Sequence, residues 1–133
     1  MVLRRLPRSL RHRLERLSEF KGKTGIDVSE YALELFKFSR QIVKEEKLKK
    51  AVKIFSALSD PVRIKILKML KKRRMCVCEL MTALNMKQPV VSYHLKLLKE
   101  GGLIKPVRRG KWVFYEAAKN DVLKLIDEII SKA

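Results

Sequence analysis

No stretch of the chain restricts its fold more than residues 83–102. It reads Ala-Leu-Asn-Met-Lys-Gln-Pro-Val-Val-Ser-Tyr-His-Leu-Lys-Leu-Leu-Lys-Glu, and Gly101-Gly102 closes it. Val91, Leu95 and Leu98 recur at i, i+4 and i+7, which predicts one apolar stripe on a helix. Pro89 falls in the first turn, where a missing N–H removes no helical hydrogen bond. The glycine pair supplies a left-handed stop. Gln88, Ser92 and Lys96, four apart, place hydrogen-bonding and cationic groups on a different face. Such a helix suits the reading of a groove edge, although an ordinary surface helix with a solvated basic face has the same pattern.

The flanking segments favour the first reading. Ser59-Asp60-Pro61 is a cap followed by proline at the first helical position, and Val62, Ile66, Met69 and Leu70 carry a helix to Lys72. Val77 to Leu84 predicts a short helix, with Asn85-Met86-Lys87 as a tight turn into the helix at 88. Two helices joined by three residues, the second with a polar face, have helix-turn-helix spacing. Beyond Gly102, Leu103–Val107 and Trp112–Glu116 alternate as strands around a basic turn, Arg108-Arg109-Gly110-Lys111, so the pair is followed by a wing. The fold expected is mainly α with a small β-hairpin wing, a winged helix-turn-helix carrying extra amino-terminal helices.

Charge points to the partner. Lys and Arg number 32 against 14 Asp and Glu, a net +18. Residues 1–50 hold 14 basic and 7 acidic side chains and residues 51–133 hold 18 and 7, so the excess belongs to the folded part and not to a tail. That favours a polyanion, double-stranded DNA above all. Membrane surfaces are anionic too, but no run approaches about 18 apolar residues, so no spanning segment is expected. The two cysteines, Cys76 and Cys78, lie too close in sequence to frame a disulfide fold, and with no secretory signal they imply a cytoplasmic protein with reduced thiols.

The amino-terminal part has its own pattern. Leu3, Leu6, Leu10, Leu14, Leu17 and Phe20 predict an Arg-rich amphipathic helix, broken at Gly22 and Gly25. Asp27 and Glu30 form a capping-box-like pair before a second helix, with Val28, Tyr31, Leu35, Phe38 and Ile42 on one face. The charged run 44–50 reads as a linker helix or as the start of the next helix. A soft boundary falls there, dividing 1–47, a basic helical extension, from 48–133, the winged helix and dimerisation domain. At the other end Asn120 or Asp121 is expected to cap a helix whose stripe of Val122, Leu125, Ile126 and Ile129 has no evident core to cover. Burial against a second copy of the chain is expected there.

Four motifs, Phe55-Ser-Ala-Leu-Ser-Asp-Pro-Val-Arg-Ile-Lys-Ile-Leu, Cys76-Val-Cys-Glu-Leu, Gln88-Pro-Val-Val-Ser-Tyr-His-Leu-Lys-Leu-Leu and Arg109-Gly-Lys-Trp-Val-Phe-Tyr, occur in order across residues 48–132. Together they resemble the ArsR/SmtB family of winged-helix repressors. The resemblance implies a homodimer that binds a pseudo-palindromic operator and releases DNA when a metal or metalloid binds. Arsenite-type members carry Cys-Val-Cys followed three residues later by a third cysteine, which here is Met81. Cadmium-type members add cysteines from the amino-terminal arm, which has none here. The family's other metal site uses Asp, His and Glu on the last helix. Here Asp121, Asp127 and Glu128 lack a histidine, so that site is discounted.

Candidate DNA contacts are therefore Lys87, Gln88, Ser92, Tyr93, His94 and Lys96 on the recognition helix, with Arg108, Arg109 and Lys111 on the wing. His94 has a structural alternative, a ring packed beneath the wing. Trp112, Phe114 and Tyr115 are expected chiefly in sheet and core, and His12 on the surface. No cofactor is certain. Cys76 and Cys78 are a candidate thiolate pair for a thiophilic metal or metalloid such as As(III) or Cd(II), or for an oxidant, with Arg73 and Arg74 favouring the thiolates. In a regular helix residues two apart diverge by about 200°, so chelation would require the first turn after Met75 to unwind. No catalytic constellation is apparent, and no enzyme is expected. The competing reading is a basic architectural or adaptor protein that docks on nucleic acid or protein without sequence preference.

Overall fold

A computed structural model describes residues 8–11, 13, 16–19 and 28–133. Helical stretches at Arg8–Arg11 and 16–19 precede α1 (Val28–Gln41). Then come α2 (Glu45–Leu58), α3 (Pro61–Lys72), β1 (Met75–Cys76), α4 (Val77–Leu84), α5 (Gln88–Glu100), β2 (Ile104–Arg109), β3 (Trp112–Ala117) and α6 (Asn120–Lys132). The expected break at Gly22 and Gly25, the Asp27 cap and His12 lie outside the described residues.

The chain divides into two compact units, Met1–Leu48 and Lys49–Ala133. In the first, Ala32 is buried, while Leu35, Phe38 and Ile42 of the expected apolar face are exposed. Of the charged run 44–50, the residues from Glu45 onward form the start of α2, the second of the two alternatives.

The second unit is a winged helix-turn-helix, and its local chemistry explains the boundaries. The Asp60 carboxylate accepts the N–H groups of Val62 at 2.8 Å and Arg63 at 3.2 Å, capping α3 ahead of Pro61. At the start of α4 the Glu79 carboxylate accepts the Cys76 N–H at 3.0 Å, half of a capping box. Asn85 ends that helix in the left-handed region (φ 52°), and the Met86 N–H returns to the Met81 carbonyl at 3.1 Å. The α5 stop is made by Gly102 alone, at φ 69°, and Gly101 remains right-handed. The Leu103 N–H reaches the Leu98 carbonyl at 2.9 Å, and both leucines are fully buried, as the Schellman motif favours.

The α6 cap differs from expectation. Neither Asn120 nor Asp121 supplies it; Lys119 does, in the left-handed region at φ 56° and without a side-chain bond. Lys119 also crowds Gly102, where an added Cβ would meet its Cε at 3.1 Å.

The sheet has order β1-β3-β2, all antiparallel. Met75 pairs with Tyr115 and Cys76 with Phe114, so a third strand joins the expected hairpin. Two residues are too few to display a period of two, which is why it does not stand out in the sequence. One core unites the elements: Ile66 and Leu67 of α3, Leu80 of α4, Val91 and Leu98 of α5, and Leu103 are almost wholly buried, with Leu123 and Ile126 of α6 beside them. The expectation that the last-helix stripe has no core to cover is therefore corrected. Leu123 and Ile126 complete the protomer's own core, and only Leu125, Ile129 and Ile130 remain exposed, with Val122 half-buried.

Candidate nucleic-acid interface

The recognition helix α5 sorts its residues as the spacing predicts. Val91, Leu95 and Leu98 fix it to the core, which turns Gln88, Ser92 and Lys96 outward. Lys87, the residue before the helix, is exposed, as is Tyr93 (58%). Ser92, Lys96 and Lys99 line a recess of about 180 Å³ with Val77 and Tyr115, so the helix and the hairpin share a wall.

His94 departs from expectation. It is buried, not on the exposed face, with its ring 5.9 Å from that of Tyr93 and its Nδ1 3.2 Å from the Arg63 guanidinium. The side chain it meets through a hydrogen bond belongs to α3. The partner, Arg63, is not among the residues singled out from the sequence. A signal for it exists: its spacing with Ile66, Leu67 and Leu70, at i, i+3, i+4 and i+7, puts it on the buried stripe of α3.

On the wing, the turn is only Gly110-Lys111. Gly110 takes φ 61° at the first turn position, as a type II′ hairpin requires. Arg108 and Arg109, expected in the turn, are strand residues paired with Val113 and Trp112. Strand alternation sends them to opposite faces, and both are exposed, as is Lys111. Trp112 is not a core residue: it is 53% exposed beside Arg109, with the Lys111 ammonium 5.8 Å from its ring centroid. Phe114 and Tyr115 are half-buried in the sheet.

The cysteine site is also rearranged. Cys76 ends β1 in extended backbone (φ −84°, ψ 170°), half-buried, and only Cys78 is helical, exposed in the first turn of α4. The two cysteines therefore lie on either side of the strand-to-helix junction and do not share one helix. Arg73 and Arg74 are engaged elsewhere, with Glu79 and Glu116, each at 2.6 Å. The Cys76 N–H and thiol, with Arg73, hold Glu79 below its ordinary carboxylate value. Bonds from Arg74 and Lys105 do the same for Glu116. On the last helix Asp127 is taken by Lys68 and Lys71, at 2.6 and 2.7 Å, and their bonds lower it to about 2. Among the described residues no three His, Cys, Asp or Glu side chains are grouped to hold a metal ion. Among them, too, no helix is long and apolar enough to cross a membrane.

Comparison with known proteins places this geometry. The family described as bacterial regulatory protein, arsR family, matches residues 60–105. An uncharacterized HTH-type transcriptional regulator of Methanocaldococcus jannaschii is 41% identical over 88 residues, covering 63% of this chain and 99% of that protein. The arsenical resistance operon repressor of Escherichia coli K12 is 40% identical over 81 residues, 58% of this chain and 69% of the repressor. Among solved structures, the homodimeric winged helix-turn-helix DNA-binding domain of a possible ArsR-family regulator from Mycobacterium bovis superposes with a TM-score of 0.61 at 28% identity. It covers 67% of this chain and 84% of that one.

Proposed function

Because the chain belongs to the ArsR family of winged helix-turn-helix transcriptional regulators, we propose that it represses transcription as a cytoplasmic homodimer on a pseudo-palindromic operator. The observation that carries this reading is the outward row Gln88, Ser92 and Lys96 on a helix pinned by its opposite stripe. Gln88 and Ser92 read base edges, while Lys87, Tyr93, Lys96 and the wing cations Arg108, Arg109 and Lys111 hold the phosphates. An apolar groove of about 330 Å³, lined by Phe55, Leu58 and Ile64 with Val122, Leu125 and Ile129, suits the dimer contact, and the M. bovis neighbour is homodimeric.

The signal is a soft metal, a metalloid or an oxidant acting at Cys76 and Cys78. Thiolates select As(III) or Cd(II) over hard cations. The pair sits where β1 becomes α4, and α4 packs against α5, so a change at the sulfurs has a short path to the DNA-reading helix. That gives effector and DNA a shared element to bias in opposite directions. The test is release of a bound duplex by arsenite, Cd²⁺ or peroxide. Release from the wild type but not from the Cys76→Ser/Cys78→Ser double variant is the expected result. Unchanged wild-type affinity with all three agents removes this site as the sensor.

A further inference from the structure

The recess shared by the recognition helix and the hairpin is built from three elements. Leu95 of α5 is buried in its lining, and Val77 of α4 and Tyr115 of β3 are half-buried there. Tyr115 stands on the central strand, paired with Met75 on one side and Pro106 on the other, so that wall is fixed. The remaining lining side chains, Ser92, Lys96 and Lys99, are exposed. They recur at i, i+4 and i+7, which puts one hydroxyl and two ammoniums on a single helix face.

The charge there is unbalanced. Lys68, Lys71 and Lys105 each hold a carboxylate, at 2.6, 2.7 and 3.1 Å. Among the described residues Lys96 and Lys99 hold none, and the hydroxyls of Ser92 and Tyr115 have no hydrogen-bond partner. Glu100, one turn beyond Lys96, lines a different recess with Val52 and Leu97. Two ammoniums three residues apart repel each other, and an anion between them removes that cost. The volume of about 180 Å³ limits what the anion is. Pockets that enclose a whole small molecule usually hold roughly 300–1,000 Å³. One group therefore enters, and the rest of its molecule stays outside. Phosphate suits the lining, because its oxygens accept while ammoniums and hydroxyls donate.

Resting on the DNA-binding reading above, we infer that this recess is a phosphate pocket in which Lys96 and Lys99 hold one phosphate group. The group comes from the DNA strand or from a small free phosphate ester, and the two exclude each other. A free ester seated there displaces the duplex, which makes the pocket an inlet for an anionic signal distinct from any at Cys76 and Cys78.

The test uses the full chain and a duplex recovered by it from a random-sequence pool, and compares wild type with Lys96→Gln/Lys99→Gln. In the first arm each backbone phosphate in turn is replaced by a neutral methylphosphonate. With the strand as source, one position in each half-site should cost the wild type about fivefold and the double variant less than about twofold. In the second arm inorganic phosphate replaces chloride at constant ionic strength. With a free phosphate as source, wild-type affinity should fall about fivefold and that of the double variant less than about twofold. A response in the first arm assigns the strand, one in the second assigns a free phosphate, and either supports the pocket. Equal responses of wild type and double variant in both arms overturn it. A chain that binds no duplex overturns instead the DNA reading, and the pocket is then judged on the DNA-free chain. Amide shifts induced there by inorganic phosphate should saturate around Lys96, Lys99 and Tyr115. Shifts spread over the chain without saturation overturn the pocket too.

Discussion

Single residues here are governed by what their neighbours can accept. Asp127 holds two lysines from α3 and is lowered from an ordinary 3.8 to about 2 by the bonds from Lys68 and Lys71. A carboxylate depressed on folding contributes stability above its unfolded value and loses it as pH falls through the folded one. The contribution of Asp127 should be present above about pH 4 and gone near pH 2. Denaturant unfolding of wild type and Asp127→Asn should therefore differ at pH 6 and converge near pH 2. An equal difference at both values would separate Asp127 from these lysines. The same residue-level logic explains why His94 is hard to place from sequence. A polar residue between Val91 and Leu95 can face either side of a helix edge. Only the buried guanidinium of Arg63, distant in sequence, decides which.

At the scale of elements, the helix-turn-helix, its three-residue turn and the hairpin are legible in the sequence because each carries a local signal: period, cap, proline or glycine. What is not legible depends on long-range pairing. The strand β1 exists because Met75 and Cys76 find Tyr115 and Phe114, about 40 residues on. The α6 stripe reads as unpartnered because the sequence does not show that the α3–α5 core is open to Leu123 and Ile126. The wing yields a prediction at this scale. Replacing Arg108 and Arg109 with alanine should weaken binding to all duplexes alike and flatten the salt slope by about one for each phosphate no longer neutralised. The chain's single tryptophan, Trp112, sits across the strand from Arg109, so its fluorescence reports the wing directly. Emission should change on duplex binding in the wild type, and the change should shrink in the double variant. Emission indifferent to saturating duplex would take the wing tip off the DNA.

At the scale of the whole molecule, a net +18 favours a polyanionic partner but carries no selectivity, and two-fold symmetry is what would convert a short helix into an operator reader. Leu125 and Ile129 are exposed at 51% and 60% on a helix whose other face is buried. Glutamate at both positions should give a folded monomer with undiminished helix content, seen by sedimentation, that binds an operator at least tenfold more weakly. A variant that remains dimeric would move the interface elsewhere. The exposed Leu35, Phe38 and Ile42 of α1 are further apolar surface that a dimer could use. A chain starting at Lys47 should therefore be less stable yet select the same operator.

The most direct measurement is selection from a random duplex pool by wild type and by Gln88→Ala at rising salt. The wild type should recover an inverted repeat with half-site centres about 10 bp apart, or a multiple of that. That preference should survive as salt rises, and Gln88→Ala should change the favoured bases at one symmetric pair of positions. Recovery without sequence preference, with every duplex lost along one steep salt slope, would contradict operator reading and leave a basic protein that coats nucleic acid.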